Sequence, residues 1–274
     1  MRLKNRLMPA LLFCGVVALS SCEKNEQESV NPEFTQGMLS QILADSSKVT
    51  SYSFAGKQLS QVNHYHKENG EAETFEKYEY DGTGKLTKAS IYAASDNALL
   101  TEQKFTYNSK DLLAKTDMAY HNGGKLEYTA YATFEYDEKN NLLKKSLFEV
   151  SNDKGEKKEA EATQKSYTTY EILPNGNYAE EKQYVIDGKG KAILFSTTTY
   201  SYDTNRNPLH EFAEPGSASS PNNLVASSAL IQNGNKTYKY AYAYTYNEQG
   251  YPLTQTVVTP TGKSETYSYL YSNQ

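Results

Sequence analysis

The sequence predicts an all-β chain: an antiparallel up-and-down meander of about 14 strands, strongly curved or closed into a barrel-like sheet, with one short N-terminal helix. Three observations carry this expectation. From Val49 onward aromatic and apolar residues alternate with polar ones, the pattern of strands whose successive side chains point to opposite faces. A unit of two same-face aromatics, then Asp or Asn, a turn and an apolar residue recurs along the chain. Tyrosine is heavily used, with 25 among 274 residues and no tryptophan, and aromatics favour strands.

The first segment is an address. Arg2, Lys4 and Arg6 are basic, Leu7 to Leu19 is an apolar run broken by Pro9 and Gly15, and Ser20-Ser21 leads to Cys22. This is the layout of a secretory signal. The run is too short for a membrane-spanning helix, which needs about 20 apolar residues. Leu19-Ser20-Ser21-Cys22 resembles the bacterial lipobox. The resemblance implies that residues 1–21 are a lipoprotein signal peptide removed before Cys22, and that Cys22 is the lipid-attachment residue. The membrane is then a partner through that anchor. Three acyl chains exceed the two signals that give stable anchoring. Glu23 after the cysteine, by resemblance to the lipoprotein sorting rule, implies the outer membrane. The acidic stretch Glu23, Glu26, Glu28 resembles the export signal of surface lipoproteins in Bacteroidetes-type bacteria.

Cleavage changes the composition. Of 274 residues 253 remain, and with Arg2, Lys4 and Arg6 gone 25 basic side chains stand against 33 acidic ones, a net charge of -8 instead of -5. Cys14 leaves with the signal, so the only cysteine left is the lipidated one, and none remains for disulfide, metal or nucleophile. A mean hydropathy of -0.74 excludes a polytopic helical membrane protein, and the acidic balance argues against nucleic acid as a partner.

Residues 22–31 read as a lipidated tether, and residues 32–274 as a single β-meander domain. Asn31 suits an N-cap and Pro32 the first helical position. Phe34, Met38, Leu39, Ile42 and Leu43 follow at helical spacing, which predicts an amphipathic helix over 32–45. The hairpin units come next. Tyr78-Glu79-Tyr80-Asp81 leads to Leu86, Phe105-Thr106-Tyr107-Asn108 to Leu113, and Phe134-Glu135-Tyr136-Asp137 to Leu142. Tyr200-Ser201-Tyr202-Asp203 leads to Pro208-Leu209, and Tyr244-Thr245-Tyr246-Asn247 to Pro252-Leu253. Degenerate copies stand at Tyr52-Ser53-Phe54 and Tyr170-Glu171-Ile172. Asp or Asn can bond its own backbone and opens the turn. Return turns lie at Ser95-Asp96-Asn97, Asn122-Gly123-Gly124, Asp153-Lys154-Gly155, Asp187-Gly188 and Pro260-Thr261-Gly262. The segment Ala213 to Asn223, rich in Pro, Gly and Ser, is read as an inserted loop. A barrel this large cannot fill its interior with side chains alone, so flattening, the helix or a cavity is expected.

The aromatic-x-Tyr-Asp/Asn unit with its following leucine resembles the tyrosine–aspartate repeat of RHS-type wall and toxin-shell proteins. With Gly250-Tyr251-Pro252 behind a lipobox, the chain resembles still more closely uncharacterised Bacteroidetes-type lipoproteins with a porin-like β fold. The resemblance spans about residues 49–272 and implies a barrel-like meander without a known activity.

Several constellations point to no particular chemistry. His64 and His66 are too few for zinc, with His121 and His210 far away in sequence. Asp203-x-Asn205-x-Asn207 with Glu214 has calcium-loop spacing, but Pro208 stands where that loop needs glycine. Gly262-Lys263-Ser264 lacks the upstream glycine of a phosphate loop. No cofactor, catalytic residue or metal ligand is assigned. The candidate ligand-binding residues are Tyr238, Tyr240, Tyr242, Tyr244 and Tyr246, a ladder on one strand face that offers stacking surfaces to sugars or peptides. Three readings follow: an outer-membrane or cell-surface lipoprotein that binds or scaffolds, with a glycan or protein as ligand; a glycan-binding or glycan-processing surface protein; and a membrane-inserted pore.

Overall fold

The structure is a computed structural model that describes residues 38–150 and 162–272. The chain runs β1 (Leu39–Ala44), β2 (Ser47–Ala55), β3 (Gln58–Tyr65), β4 (Ala72–Tyr80), β5 (Leu86–Ala93), β6 (Leu99–Tyr107), β7 (Leu113–Asn122) and β8 (Lys125–Tyr136). It continues as β9 (Leu142–Val150), β10 (Thr163–Ile172), β11 (Tyr178–Ile186), β12 (Ala192–Arg206), β13 (Asn222–Ile231), β14 (Lys236–Tyr246), β15 (Pro252–Val258) and β16 (Ser264–Tyr271). Each strand pairs antiparallel with its chain neighbours, and β1 pairs with β16, so the meander closes into a barrel of 16 strands.

The expected class is right, and two details are corrected. The seven hairpin units supply β2 to β15. The two strands beyond them are β16, the Tyr267-Tyr269-Tyr271 ladder, and β1, which lies inside the segment expected to be helical over 32–45. Residues 32–37 of that segment lie outside the described residues; Leu39–Ala44 is a strand. The apolar spacing misled because β1 carries register shifts between Leu39 and Gln41 and between Ile42 and Leu43. Bulges of this kind break strict alternation, so Leu39, Ile42 and Ala44 all reach the core. The segment is held as a strand because without it β2 and β16 would each present an unpaired edge.

The repeat is a specific piece of turn chemistry. Asp81 Oδ1 accepts the backbone N–H of Thr83 (2.8 Å) and Lys85 (3.1 Å). Asn108 accepts from Lys110 and Leu112, Asp137 from Lys139 and Asn141, and Asn247 from Gln249 and Tyr251 in the same way. The residue three past each acid or amide is left-handed: Gly84, Asp111, Asn140 and Gly250. Glycine takes that conformation freely, and Asn and Asp tolerate it. The hydrogen bonds hold the Asp81 and Asp137 carboxyls below their usual range, chiefly through the side chains of Thr83 and Asn141.

Tyrosine hydroxyls then tie each hairpin to the previous one. Tyr80, Tyr107, Tyr136, Tyr244 and Tyr271 donate to the carbonyls of Leu59 (2.8 Å), Leu86 (2.8 Å), Leu113 (3.0 Å), Leu224 (3.0 Å) and Pro252 (2.8 Å) near the start of the neighbouring strand. A buried tyrosine hydroxyl needs such a partner. This part of the tyrosine surplus is therefore architecture.

Candidate functional site

Closure decides which face is the inner wall. The register across β3, β4 and β5 sets His64, Glu76, Tyr78 and Ile91 on the buried side, and Lys77, Glu79 and Lys88 outside. Carried round the barrel, the same register puts Phe105, Lys145, Tyr170, Glu181, Tyr200 and Tyr269 inside. The ladder Tyr238, Tyr240, Tyr242, Tyr244 and Tyr246 is also on the inner wall, because Tyr238 and Tyr240 pair with the inward Ala229 and Ser227, and Tyr242 and Tyr244 with Val257 and Gln255.

The two ends of this lumen differ. At the end of the aromatic hairpin turns, Leu59, Leu86, Leu113, Leu142 and Tyr271 are buried, Leu113 to 3% exposure. At the opposite end the inward Val185, Ile193 and Tyr238 remain 42%, 51% and 41% exposed. Among the described residues the tyrosine ladder thus runs from an open mouth at Tyr238 to a closed end at Tyr246. Tyr244 and Tyr246 stack with centroids 5.8 Å apart. Tyr244 Oη accepts from Gln255 Nε2 at 2.7 Å, and the Tyr246 hydroxyl donates to Asp203. Burial pushes the Tyr244 hydroxyl up to about 12, so it remains a neutral donor.

The closed end is stoppered by residues 207–221, spliced into the hairpin turn after β12. Asp203 keeps its turn role: its Oδ1 accepts Asn205 N–H (2.9 Å) and, past the insertion, Asn223 N–H (3.2 Å). Asn207 closes the base of the insertion through bonds to Ser220 and Pro221. From there the segment crosses the barrel end. Leu209 packs on the β1–β2–β16 core, Phe212 lies 4.9 Å from Phe54 of β2, and Glu214 faces Gln103 of β6 at 3.5 Å. Gly216, with φ +75°, sits so close to Phe134 of β8 and Leu113 of β7 that a Cβ there would overlap both. His210–Phe212 forms a single 3-10 turn. The loop expected at Ala213 to Asn223 is therefore a plug. It supplies the filling that side chains alone cannot give a barrel this wide.

Beneath the plug lies a half-buried polar cluster. His64 Nε2 meets Glu76 Oε1 at 2.8 Å, and the Tyr78 hydroxyl donates to the same carboxylate. Burial opposes the charge on Glu76, but those two hydrogen bonds outweigh it and hold the carboxyl below its usual range. Glu214 goes the other way: burial, then the Glu76 charge, push it up to about 7, against Lys145 and Gln103. Burial lowers the Lys145 ammonium and raises the Glu181 carboxyl, which accepts from the Tyr200 hydroxyl at 3.3 Å.

The outer wall is different in kind. Lys88 pairs with Glu79 (2.9 Å) and Glu102 (3.5 Å) and Lys144 with Glu135 (2.8 Å) across neighbouring strands, and Lys115 with Asp117 (2.9 Å) along one strand, all outward. Stacked rings join Phe75 to Tyr92, Tyr131 to Phe148 and Tyr167 to Tyr184 across neighbouring strands. A membrane-inserted barrel needs a continuous outward apolar band, and charges interrupt the described outer wall at mid-strand. A shallow groove of about 430 Å³ on this wall is floored by Ala226, Ser228 and Ala241.

The structure sorts the remaining sequence features. Cys22 lies outside the described residues. His64 has Glu76 as its partner, whereas His66 sits 3.8 Å from Glu73 on the exposed rim. Asp203 Oδ1 and Asn207 Oδ1 accept backbone N–H groups of their own turns, Asp203 Oδ2 accepts the Tyr246 hydroxyl, and Glu214 faces Gln103 across the barrel end, so the calcium spacing does not become a cage. Among the described residues no three His, Cys, Asp or Glu converge as metal ligands. Gly262-Lys263 belongs to the β15–β16 hairpin turn. Sequence reasoning missed the plug and the Glu76–Glu214 pairing. The signal for the first was present: Leu209 and Phe212 are apolar residues in a stretch otherwise built like a loop.

Among solved structures, the chain is similar to a porin-like protein from Bacteroides vulgatus ATCC 8482, at 10% identity, covering 86% of this chain and 99% of that one, with a TM-score of 0.49. It is similar to a porin-like protein from Bacteroides uniformis ATCC 8492 at 15% identity, covering 81% of this chain and 89% of that one, with a TM-score of 0.49. A match to the Photorhabdus luminescens Tc holotoxin pore, at 13% identity, covers 81% of this chain and 9% of that one, with a TM-score of 0.32. No family model and no curated protein matches the chain.

Proposed function

We propose that this protein is an outer-membrane or cell-surface lipoprotein, anchored through Cys22, whose barrel is a binding module rather than a pore. The observation that carries the binding reading is the inner face of β14, where Tyr238 stands exposed at an open mouth and the ladder leads inward to Tyr246. Exposed Val185 and Ile193 on the inner wall of β11 and β12 add apolar surface at that mouth. Rings flanked by hydroxyls suit the flat faces and rim hydroxyls of a glycan. The plug and the charged outer wall count against a channel through a bilayer.

One observation favours a glycan-processing version of the same reading. Glu76 and Glu214 are coupled carboxyls whose surroundings push them in opposite directions, the condition for dividing acid and base roles between two carboxyls.

The test is a glycan screen on the protein and on Tyr238→Ala, with free saccharide measured alongside. Binding weakened at least tenfold by Tyr238→Ala, without saccharide release, establishes a binder. Release abolished by Glu76→Gln establishes processing. Silence in both assays removes the glycan readings. Separately, Cys22→Ala should move the protein out of the membrane fraction; retention there overturns the anchor.

A further inference from the structure

Among the described residues the plug joins the barrel wall through side-chain packing and a few polar contacts, and its one ionisable group turned away from the surface is the half-buried Glu214. From β4 it is faced by Glu76, with Tyr78 and Tyr80 coupled to it electrostatically. From β6 it is met by Gln103, at the long distance of 3.5 Å. From β9 comes Lys145, which is shared with Glu181 of β11. From β3, His64 is committed to Glu76. The Glu214 carboxylate therefore has one distant cation that it must share, one weak donor, and a carboxylate opposite. A charge buried without a dedicated partner is costly unless the group takes up a proton or moves to water.

The neighbouring contacts give the segment a seat it can leave as a unit. Phe212 against Phe54, and Gly216 against Phe134 and Leu113, are packing contacts with no backbone ladder behind them. The base at Asn207 and Asn222 is fastened by hydrogen bonds to Ser220, Asn177 and Asn205 and works as a fixed hinge.

We propose that residues 207–221 form a pH-sensitive plug whose span between the fixed ends at Asn207 and Ser220 is seated in the barrel end while the Glu214 carboxyl is protonated and displaced toward solvent when that carboxyl ionises. The opening would connect the closed end of the lumen to solvent. This inference rests on the plug's geometry and not on any ligand of the tyrosine ladder.

The sign follows from linkage. The seated state holds the Glu214 proton up to about pH 7, whereas a solvated glutamate loses it near its ordinary value of 4.5. Seating is therefore fully favoured below that ordinary value and weakens as pH rises toward 7. Within the window the seated-to-open ratio falls by up to about tenfold per pH unit, and it levels off above.

The chain has no tryptophan, so Phe212→Trp makes the plug its own reporter. Emission and iodide quenching are recorded from pH 4.5 to 8 for the Phe212→Trp protein and for the same protein with Glu214→Gln. The expected result is a red shift and a rise in quenching in the first protein, absent in the second. A pH-independent signal in the first protein, or the same transition in both, overturns the proposal. Should Phe212→Trp leave the plug unseated at every pH, the native chain decides. Subtilisin cleavage within 207–221, normalised to a free peptide of that sequence, should rise at least tenfold from pH 5 to 8. It should stay flat in Glu214→Gln, and equal behaviour of the two chains again overturns the proposal.

Discussion

The two ends of the barrel use the same strands and the same alternation, yet one is dry and the other wet. At the aromatic-turn end, leucines starting the odd strands are covered by tyrosine rings, whose hydroxyls in turn bond the carbonyls of those same strands. The plug then closes what the tyrosines leave open. At the mouth, inward Ile193, Val185 and Tyr238 face water and nothing in the described chain covers them. The contrast teaches where stability and recognition sit. The first end gains from apolar burial at about 25 cal/mol per Å². The second leaves the same kind of surface available to a ligand.

That contrast can be broken by substitution. The largest effect is expected from Leu113→Ala, which empties a site sealed by both Phe134 and the plug. It should cost about 2–5 kcal/mol, read from chemical unfolding. A loss under 1 kcal/mol would mean the closed end is not the core. Tyr107→Phe keeps the ring and removes one hydroxyl from the Leu86 carbonyl, and should cost about 0.5–1.5 kcal/mol. If it is neutral, the tyrosine ties are decoration. The smallest effect is expected from Ile193→Ala at the mouth, within about 0.5 kcal/mol. A cost equal to that of Leu113→Ala would show the mouth to be covered and the comparison false.

Much of the wall was legible in the sequence because its determinants are local. Asp81 and Gly84 specify a turn through hydrogen bonds spanning four residues. The second aromatics of the hairpin units marked the even strands from β2 to β14. β1 was not legible, because its two bulges put apolar residues at helical spacing. The plug was half legible: Pro215, Gly216 and the serines marked a loop, but Phe212 has no local reason to be aromatic. Its reason is Phe54, 158 residues earlier in the chain. Glu214 stood in a calcium-like spacing by coincidence, since its working neighbours Glu76, Gln103 and Lys145 lie on three other strands.

The tyrosine ladder shows the same division most plainly. Alternation by itself determined that Tyr238 to Tyr246 share one face, and that Asp and Asn turns would carry the chain into the next strand. It also determined a single antiparallel meander, since most connections among the recognised units are short. Alternation is symmetric between two faces, however, and names neither as the inside. Only closure of β1 on β16, through contacts such as Ser40 Oγ to the Leu270 carbonyl 230 residues away, turned one face into a lumen. Closure also turned the inserted loop into its stopper and brought Glu214 opposite Glu76. Those are decisions of tertiary structure, because each depends on groups that the chain brings together only after the barrel has formed.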